Sequence, residues 1–264
     1  MSRRILVAAG TAAFAAALWS GFDRSHEGLS LLLLAFALLA AGVAWSDLGP
    51  DSSKQLVLIA TLGAAAAAGR VLFAPLPGVQ PVTVMVVVAG ATLGARNGFA
   101  VGAIAAFVSN FFLGQGPWTP WQMLAWGACG VAGALAARAL RRRLVLAAFC
   151  FVLGLAFSAF MDVWTWLAFY DQHTWQTFLA VHGRGLPFDL AHGIGNVVIA
   201  LVAGPELRRL LDRYQRAGGR YLVCPICADA KQIDKGNLLP NAELGGTVVM
   251  WDWIGDEGAT TFSY

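Results

Sequence analysis

Charged residues are scarce in this sequence, because Asp, Glu, Lys and Arg together make up only 12% of its 264 residues. An average soluble domain carries about 25%. Hydrophobic residues, in contrast, account for 58% of the chain. These proportions exclude an ordinary soluble domain and predict a polytopic membrane protein.

Cysteine is also rare, and the four cysteines do not suggest a disulfide framework. Cys129 and Cys150 lie in apolar segments, where we expect them to pack as small hydrophobic side chains. Cys224 and Cys227 form a CxxC motif after the last apolar segment. This motif supplies only half of a four-thiolate zinc site, so zinc would require a dimer. We predict no cofactor and no metal site for the chain.

Eight apolar segments make up most of the chain, at about 5–21, 29–46, 55–73, 82–95, 98–113, 121–138, 144–168 and 190–207. Basic residues in alternate connections favour one side by thirteen to three. The first side holds Arg3, Arg4, Lys54, Arg96, Arg138, Arg141, Arg142, Arg143, Arg208, Arg209, Arg213, Arg216 and Arg220, and the second holds Arg24, Arg70 and Arg184. By the positive-inside rule this asymmetry predicts eight crossings, with both termini in the cytoplasm.

Three regions follow from this pattern. Residues 1–54 contain a transmembrane hairpin with almost no internal polar atoms, residues 55–216 contain six segments, and residues 217–264 form a polar cytoplasmic tail. The first segment also fits a signal peptide, but we favour its retention because the apolar run continues through Trp19. In the tail we predict a strand from Tyr221, a short helix at 225–233, and a strand or helix at 247–251.

The fourth segment is short and follows an irregular stretch. Its 14 residues, 82–95, would span about 21 Å as a helix, less than the ~30 Å hydrocarbon core. The preceding residues 75–81 contain three prolines and cannot form regular helix. Irregular backbone at membrane depth is tolerated only against protein or a water-filled cavity. The segment therefore predicts a protein that binds or moves a small molecule.

Polar and aromatic residues concentrate on the predicted outer side and are our candidates for substrate binding. They are Gln80, Thr83, Asn110, Gln115, Trp118, Gln122, Trp126, Asp162, Trp166, His192 and Asn196. Three pairs have i,i+4 spacing and share a helix face: Gln122/Trp126, Asp162/Trp166 and His192/Asn196. Rings with a few hydrogen-bonding groups suit a flat, partly polar molecule.

Each of these residues also has a structural interpretation. Tryptophans such as Trp118 collect at membrane interfaces in any membrane protein. Asn110 and other amides form hydrogen bonds between helices. Asp162 is costly inside an apolar run and is expected to be paired, with His192 or Asn196 as possible partners, or functional. His192 also fits the first turn of a helix that begins after Asp189.

The third segment carries small residues at four-residue spacing, namely Ala60, Ala64 and Ala68. Such spacing lets another helix approach closely. Packing within the bundle and plain alanine-rich composition are the alternatives to a partner-docking role.

Six strings from this region resemble the substrate-binding S component of energy-coupling factor (ECF) vitamin transporters. They are Gly69-Arg-Val-Leu-Phe73, Pro77-Gly-Val-Gln-Pro-Val-Thr83, Leu93-Gly-Ala-Arg-Asn-Gly98, Ser109-Asn110, Gly114-Gln-Gly-Pro-Trp-Thr-Pro-Trp-Gln122 and Ala125-Trp-Gly127. The resemblance implies an all-α, six-helix bundle over residues 55–216, to which the amino-terminal hairpin and a short α/β-like tail are added.

The resemblance also implies a function and partners. An S component captures a vitamin, and a transmembrane coupling protein and two ATPase subunits power its import. No Walker motif occurs in this chain, which agrees with ATP hydrolysis on partners rather than an enzyme. The family's docking motif falls on Ala60, Ala64 and Ala68, and its closing loop on residues 75–81. The string 114–122 is most similar to the cobalamin branch.

The tail resembles the carboxy-terminal half of a DsrE-like sulfur-relay domain. The similar strings are Tyr221-Leu-Val-Cys-Pro-Ile-Cys227, Leu238-Leu-Pro-Asn-Ala-Glu-Leu244 and Gly258-Ala-Thr-Thr-Phe-Ser-Tyr264. The first strands of that fold are absent, so we favour a structural tail over thiol chemistry or metal binding. The rival function is a membrane-anchored thiol or sulfur-transfer protein acting through Cys224 and Cys227, and a membrane scaffold is the third hypothesis.

Overall fold

The computed structural model describes residues 3–20, 29–30, 32–34, 36–37, 40, 50–217, 221–223 and 242–245. The chain divides into two compact units, Met1–Leu211 and Asp212–Tyr264.

The described part of the first unit is almost entirely helical, which confirms the predicted all-α class. Its helices are α1 (Arg3–Ser20), α2 (Pro50–Leu72), α3 (Val82–Leu93), α4 (Ala95–Leu113), α5 (Thr119–Leu135), α6 (Arg143–Phe169), α7 (Trp175–Val202) and the start of α8 (Gly204–Ala217). A 3₁₀ turn at Ala139–Arg141 precedes α6.

Several of these helices have the length and composition of membrane spans. Among the described residues, four stretches are long and apolar enough to cross a bilayer: Gln55–Leu72, Ala95–Leu113, Arg143–Phe169 and Trp175–Val202. Arg4–Ser20 and Val82–Leu93 are shorter apolar helices. Most of the predicted second segment, 29–46, lies outside the described residues.

Helix α3 is the centre of the bundle. Eight of its twelve residues are buried, including Val84, Val86 and Val88, and a helix that is apolar on all sides belongs in a core. Glycines bring its neighbours into backbone contact. A Cβ added at Gly98 of α4 would lie 2.6 Å from the Gly90 Cα of α3, and one at Gly130 of α5 would meet the Gly98 carbonyl. This close approach fixes α3, α4 and α5 against one another.

The loop before α3 is irregular, as predicted. Helix α2 ends at Leu72, and turns and bends follow up to Pro81. Gly78 has a φ of 80°, which favours glycine. A Cβ there would lie 2.5 Å from the Phe188 carbonyl oxygen of α7. The loop is therefore lined by protein.

The last predicted segment, 190–207, is wrong in its bounds. Helix α7 begins at Trp175, where Thr174 and Thr177 form a capping box, and it continues through Pro187. Neighbouring elements satisfy the backbone groups that a proline frees in a membrane helix. Polar residues before Pro187 lowered the local hydropathy and concealed the first half of the helix. His192 is consequently in the middle of α7, and it does not begin a helix.

The second unit contains two short strands among its described residues. Strand β1 (Tyr221–Val223) pairs in parallel with β2 (Ala242–Leu244), and Leu222 lies opposite Glu243. The predicted strand at Tyr221 is confirmed. The elements predicted at 225–233 and 247–251, and the cysteines Cys224 and Cys227, lie outside the described residues.

Candidate functional site

A buried arginine organises the polar interior of the bundle. Arg70, in the last turn of α2, is only 7% exposed. Its Nε donates to Gln80 Oε1 at 3.2 Å, and its Nη1 donates to Ser109 Oγ at 2.7 Å and Asn110 Oδ1 at 2.6 Å. All three acceptors are neutral, so these bonds solvate the guanidinium without neutralising its charge.

A chain of amides and hydroxyls extends from this arginine. Asn110 Nδ2 donates to both Thr119 Oγ1 and Gln122 Oε1 at 2.9 Å. The Thr119 hydroxyl donates to Gln115 Oε1 at 2.8 Å, and Gln115 Nε2 donates to the Phe107 carbonyl at 2.9 Å. We call Arg70 and these hydrogen-bonded side chains the arginine network. The network connects α2, α4 and α5 with the loop before α3 and the loop between α4 and α5.

A second set of hydrogen bonds connects α3, α5 and α7. Trp126 Nε1 donates to Thr83 Oγ1 at 3.2 Å, and Thr83 Oγ1 lies 3.0 Å from His192 Nε2. His192 Nδ1 lies 2.9 Å from the Gly78 carbonyl oxygen. A carbonyl only accepts, so Nδ1 carries a proton, and in the neutral form of His192 the free Nε2 accepts the Thr83 hydroxyl. The histidine thus ties α7 to the loop before α3.

Stacked rings link the two sets of hydrogen bonds. The ring centroids of Trp126 and Phe157 are 4.3 Å apart, and those of Phe157 and His192 are 5.6 Å apart, with interplanar angles of 21° and 27°. The guanidinium carbon of Arg70 lies 4.8 Å from the Trp126 ring centroid, within cation–π range. We call Trp126, Phe157 and His192 the aromatic stack.

The structure brings together seven of the predicted substrate-binding residues. Gln80, Asn110, Gln115 and Gln122 belong to the arginine network, Trp126 and His192 belong to the aromatic stack, and Thr83 is hydrogen-bonded to that stack.

The other four predicted residues have partners elsewhere. Trp118 meets Trp164 edge-on at 6.3 Å. Trp166 Nε1 donates to Thr177 Oγ1 at 2.9 Å, and Asn196 Nδ2 donates to the Cys150 carbonyl at 3.3 Å. Asp162 accepts from His182 Nδ1 at 2.7 Å, so pairing with His192 or Asn196 was the wrong prediction.

Four members of the arginine network and the aromatic stack were not among the predicted residues: Arg70, Ser109, Thr119 and Phe157. His182, the partner of Asp162, was also missed. Arg70 was assigned to an outer connection, yet it is buried within the bundle. A lone arginine at the end of an alanine-rich apolar run was the signal that could have identified it. Phe157 gave no signal, because an aromatic residue in an apolar helix is ordinary.

The alanines of α2 lie on its outer face. Ala60, Ala64 and Ala68 are exposed, whereas the adjacent Gly63 and Ala67 are buried. A Cβ on Gly63 would lie 2.5 Å from the Ile104 side chain, so the buried face packs on α4. The exposed alanines do not serve packing within the described bundle.

A comparison with protein families matches residues 51–209 to the family described as ECF-type riboflavin transporter, S component. This match covers more than half of the chain and includes the whole site, so the protein belongs to the ECF S component family. No curated protein and no solved structure matches the chain.

The family fixes the general role of the chain. It is a multi-pass membrane protein and a transporter subunit that binds substrate, and it is not an enzyme. Members of this family work with an ECF module of a transmembrane coupling protein and ATPase subunits. The predicted family is thereby confirmed, whereas the cobalamin branch and the DsrE-like tail stay predictions.

Proposed function

We propose that the chain captures a vitamin from the outer side of the membrane at the arginine network and the aromatic stack. The observation that carries this proposal is the buried Arg70, whose hydrogen-bond acceptors are all neutral. A carbonyl, imide or phosphate oxygen of a ligand would stabilise its charge. The stacked rings beside it suit a flat ligand ring.

The loop before α3 acts as the gate. It holds the bundle through Gln80, which accepts from Arg70, and through Gly78, whose carbonyl accepts from His192. Breaking these two bonds removes one hydrogen bond from the loop to each of α2 and α7 and leaves the packing of Pro81 and Val79 to be displaced. A ligand that takes the place of these two hydrogen bonds is contacted by the same four groups, those of Arg70, Gln80, Gly78 and His192, when the loop closes again.

Two vitamins are candidates, each for a specific reason. The matching family is described by riboflavin, whose planar isoalloxazine ring with an imide edge suits both the stack and the amides. The string 114–122 favours cobalamin, whose peripheral amides suit Asn110, Gln115 and Gln122. Because one fold serves many ligands, the ligand follows from the site and not from the fold.

Mass spectrometry of small molecules that co-purify with the detergent-solubilised protein tests the substrate. We expect a vitamin at near-stoichiometric amounts, and calorimetry with riboflavin and with cobalamin then separates the two candidates. Absence of any vitamin, together with no heat from either titration, would contradict the proposal.

The exposed alanine face of α2 is the proposed docking surface for the partner subunits. A coupling protein docks on the exposed face of Ala60, Ala64 and Ala68, two ATPase subunits complete the complex, and both termini lie in the cytoplasm. Ala64→Leu with Ala68→Leu should abolish co-purification with the coupling protein, because larger side chains prevent close approach. Vitamin binding by the isolated chain should be unchanged. An undiminished yield of the complex would reject this surface.

The tail is the third part of the proposal. Residues 217–264 form a structural appendage to the membrane domain, residues 1–54 an additional hairpin, and residues 55–216 the binding domain. Deleting 217–264 should leave vitamin uptake intact. Loss of a thiol-dependent activity with unchanged uptake would favour the alternative of sulfur transfer through Cys224 and Cys227.

A further inference from the structure

A third polar cluster lies between α6 and α7 and consists of Asp162, His182 and Asp189, which we call the α6–α7 trio. His182 Nδ1 lies 2.7 Å from Asp162 Oδ2 and 3.9 Å from Asp189 Oδ2. One nitrogen or oxygen atom from each residue falls within 4.8 Å of the others. The two aspartate side chains are only 15% and 9% exposed, so this is not a surface patch of acidic residues.

One buried oxygen atom of the trio lacks a hydrogen-bond donor among the described residues. Asp189 Oδ2 is buried and accepts no hydrogen bond from any residue within the described ranges. A buried, unpaired carboxylate oxygen is expensive, and more so inside an apolar helix pair. This oxygen lies on the side of His182, and a cation between them would satisfy it.

Gly185 keeps the space between the carboxylates open. It lies one turn from both His182 and Asp189 on α7. A Cβ at this position would lie 3.2 Å from Asp162 Oδ1 and 3.4 Å from Asp189 Oδ2. Any larger residue would therefore occupy the space on which the two carboxylates converge. Phe178 lies parallel to the imidazole of His182, at 6.2 Å and 4°, and supports its ring plane.

We propose that the α6–α7 trio binds a divalent transition-metal ion of the Zn²⁺ type through His182 Nδ1 and one oxygen from each aspartate. One imidazole with two carboxylates suits first-row transition ions, whereas Mg²⁺ and Ca²⁺ take oxygen ligands. A metal ion needs the lone pair of Nδ1, so on binding the proton of the neutral imidazole moves from Nδ1 to Nε2, and Asp162 exchanges its hydrogen bond from Nδ1 for a bond to the metal. Three protein ligands leave one position open for water or another ligand.

This site is independent of the vitamin and of its identity. No metal site was predicted here from the sequence. Asp162 is on one helix, and the other two ligands are seven residues apart on the next. Only the packing of α6 against α7 brings the three together.

Calorimetry with Zn²⁺ alone on the untagged, chelator-treated full chain tests the proposal. Cys224 and Cys227 are replaced by serine in every variant, because these thiols could bind zinc themselves. We expect one saturable site that Asp189→Asn weakens at least tenfold. His173→Ala is the matched control, since His173 is exposed in the same helical hairpin but outside the trio, and it should bind as the parent does. Equal affinity in the parent and Asp189→Asn, or no saturable binding in the parent, would overturn the proposal.

A second variant covers the case in which Asp189→Asn does not fold. Gly185→Ala retains all three ligands and fills the space between them. Measured against its own melting temperature without metal, Gly185→Ala should lack the upward shift that Zn²⁺ produces in the parent. A full Zn²⁺-dependent shift in Gly185→Ala would reject the assigned position, and an equal shift with Mg²⁺ or Ca²⁺ would reject the assigned class of ion.

Discussion

The arginine network and the α6–α7 trio, on two sides of the helical bundle, treat buried polar groups differently. On the side of α2, α4 and α5, Arg70 and Asn110 have their hydrogen bonds made by neighbouring side chains. On the side of α6 and α7, Asp189 keeps a buried oxygen without a hydrogen bond from any described residue. A satisfied network holds helices in place, whereas an unsatisfied group is poised for an additional ligand.

Packing differs in the same direction. Glycine backbones touch across α3, α4 and α5, as at Gly98 and Gly130. Between α6 and α7 a glycine faces a side chain instead, because a Cβ on Gly193 would lie 2.9 Å from the ring of Phe151. We call the first side the rigid side, because a larger residue there would meet backbone atoms, whereas on the second side it would meet a side chain that can move.

The largest expected effect comes from filling a glycine contact on the rigid side. Gly130→Leu would place a side chain where the Gly98 carbonyl lies, and overpacking of this kind costs about 3 kcal/mol or more. Detergent-induced unfolding measures the loss. Gly183→Leu is the control, because a Cβ on Gly183 of α7 has no neighbour within 4 Å. Equal stability of the two variants would remove the contrast between the two sides.

Replacing the buried arginine should have the next largest effect. Arg70→Gln removes the charge, and a hydrogen bond to a charged group contributes about 1.5–3 kcal/mol. Vitamin affinity should fall by roughly ten- to a hundredfold in calorimetry. Arg184→Gln removes an exposed arginine from α7 and should bind normally. Unchanged affinity in Arg70→Gln would reduce the arginine network to a structural role.

A smaller effect is expected in the loop before α3. Gln80→Ala removes one neutral acceptor, which costs on the order of 0.5–1.5 kcal/mol and weakens vitamin binding about two- to tenfold. Gln176→Ala, at an exposed position, serves as the comparison. The same dissociation constant for Gln80→Ala and the parent would exclude Gln80 from the site.

The smallest effect on vitamin binding is expected on the α6–α7 side. Asp162→Asn keeps the shape of the side chain and weakens its bond to His182, so we expect a stability loss of about 1 kcal/mol. Vitamin affinity should stay within about twofold, which is under half a kcal/mol. Melting temperature and affinity are measured on the same sample, with the exposed Asp171→Asn as control. A tenfold loss of affinity at normal stability would place Asp162 in the vitamin site.

Much of the fold follows from hydropathy, because apolar runs bounded by Gly, Pro or charged residues define α3 to α6 within a few residues. The beginning of α7 could not be predicted in this way. The missed part, 175–189, carries His182 and Asp189, and His182 finds its partner Asp162 on another helix. Pro187 also indicated a helix end at this point, but tertiary packing lets α7 continue through it.

The candidate site shows the same limit. The amides Gln80, Asn110 and Gln122 could be predicted because amides are rare in apolar segments. Their common centre could not, because Arg70 is 39 residues away from Ser109 in sequence and meets it only after α2 packs on α4. Local patterns identify which residues are unusual; helix packing decides which of them meet.

The short helix α3, which only Gly94 separates from α4, has a consequence for biosynthesis. Helix α3 has 12 residues, about 18 Å in length, and is too short to enter a bilayer as an independent span. We therefore expect α3 and α4 to leave the translocon together. Their glycine contacts are completed only by Gly130, so the nascent chain acquires its stable core after the ribosome has passed Leu135. Truncation before that point should yield a chain that membrane quality control degrades.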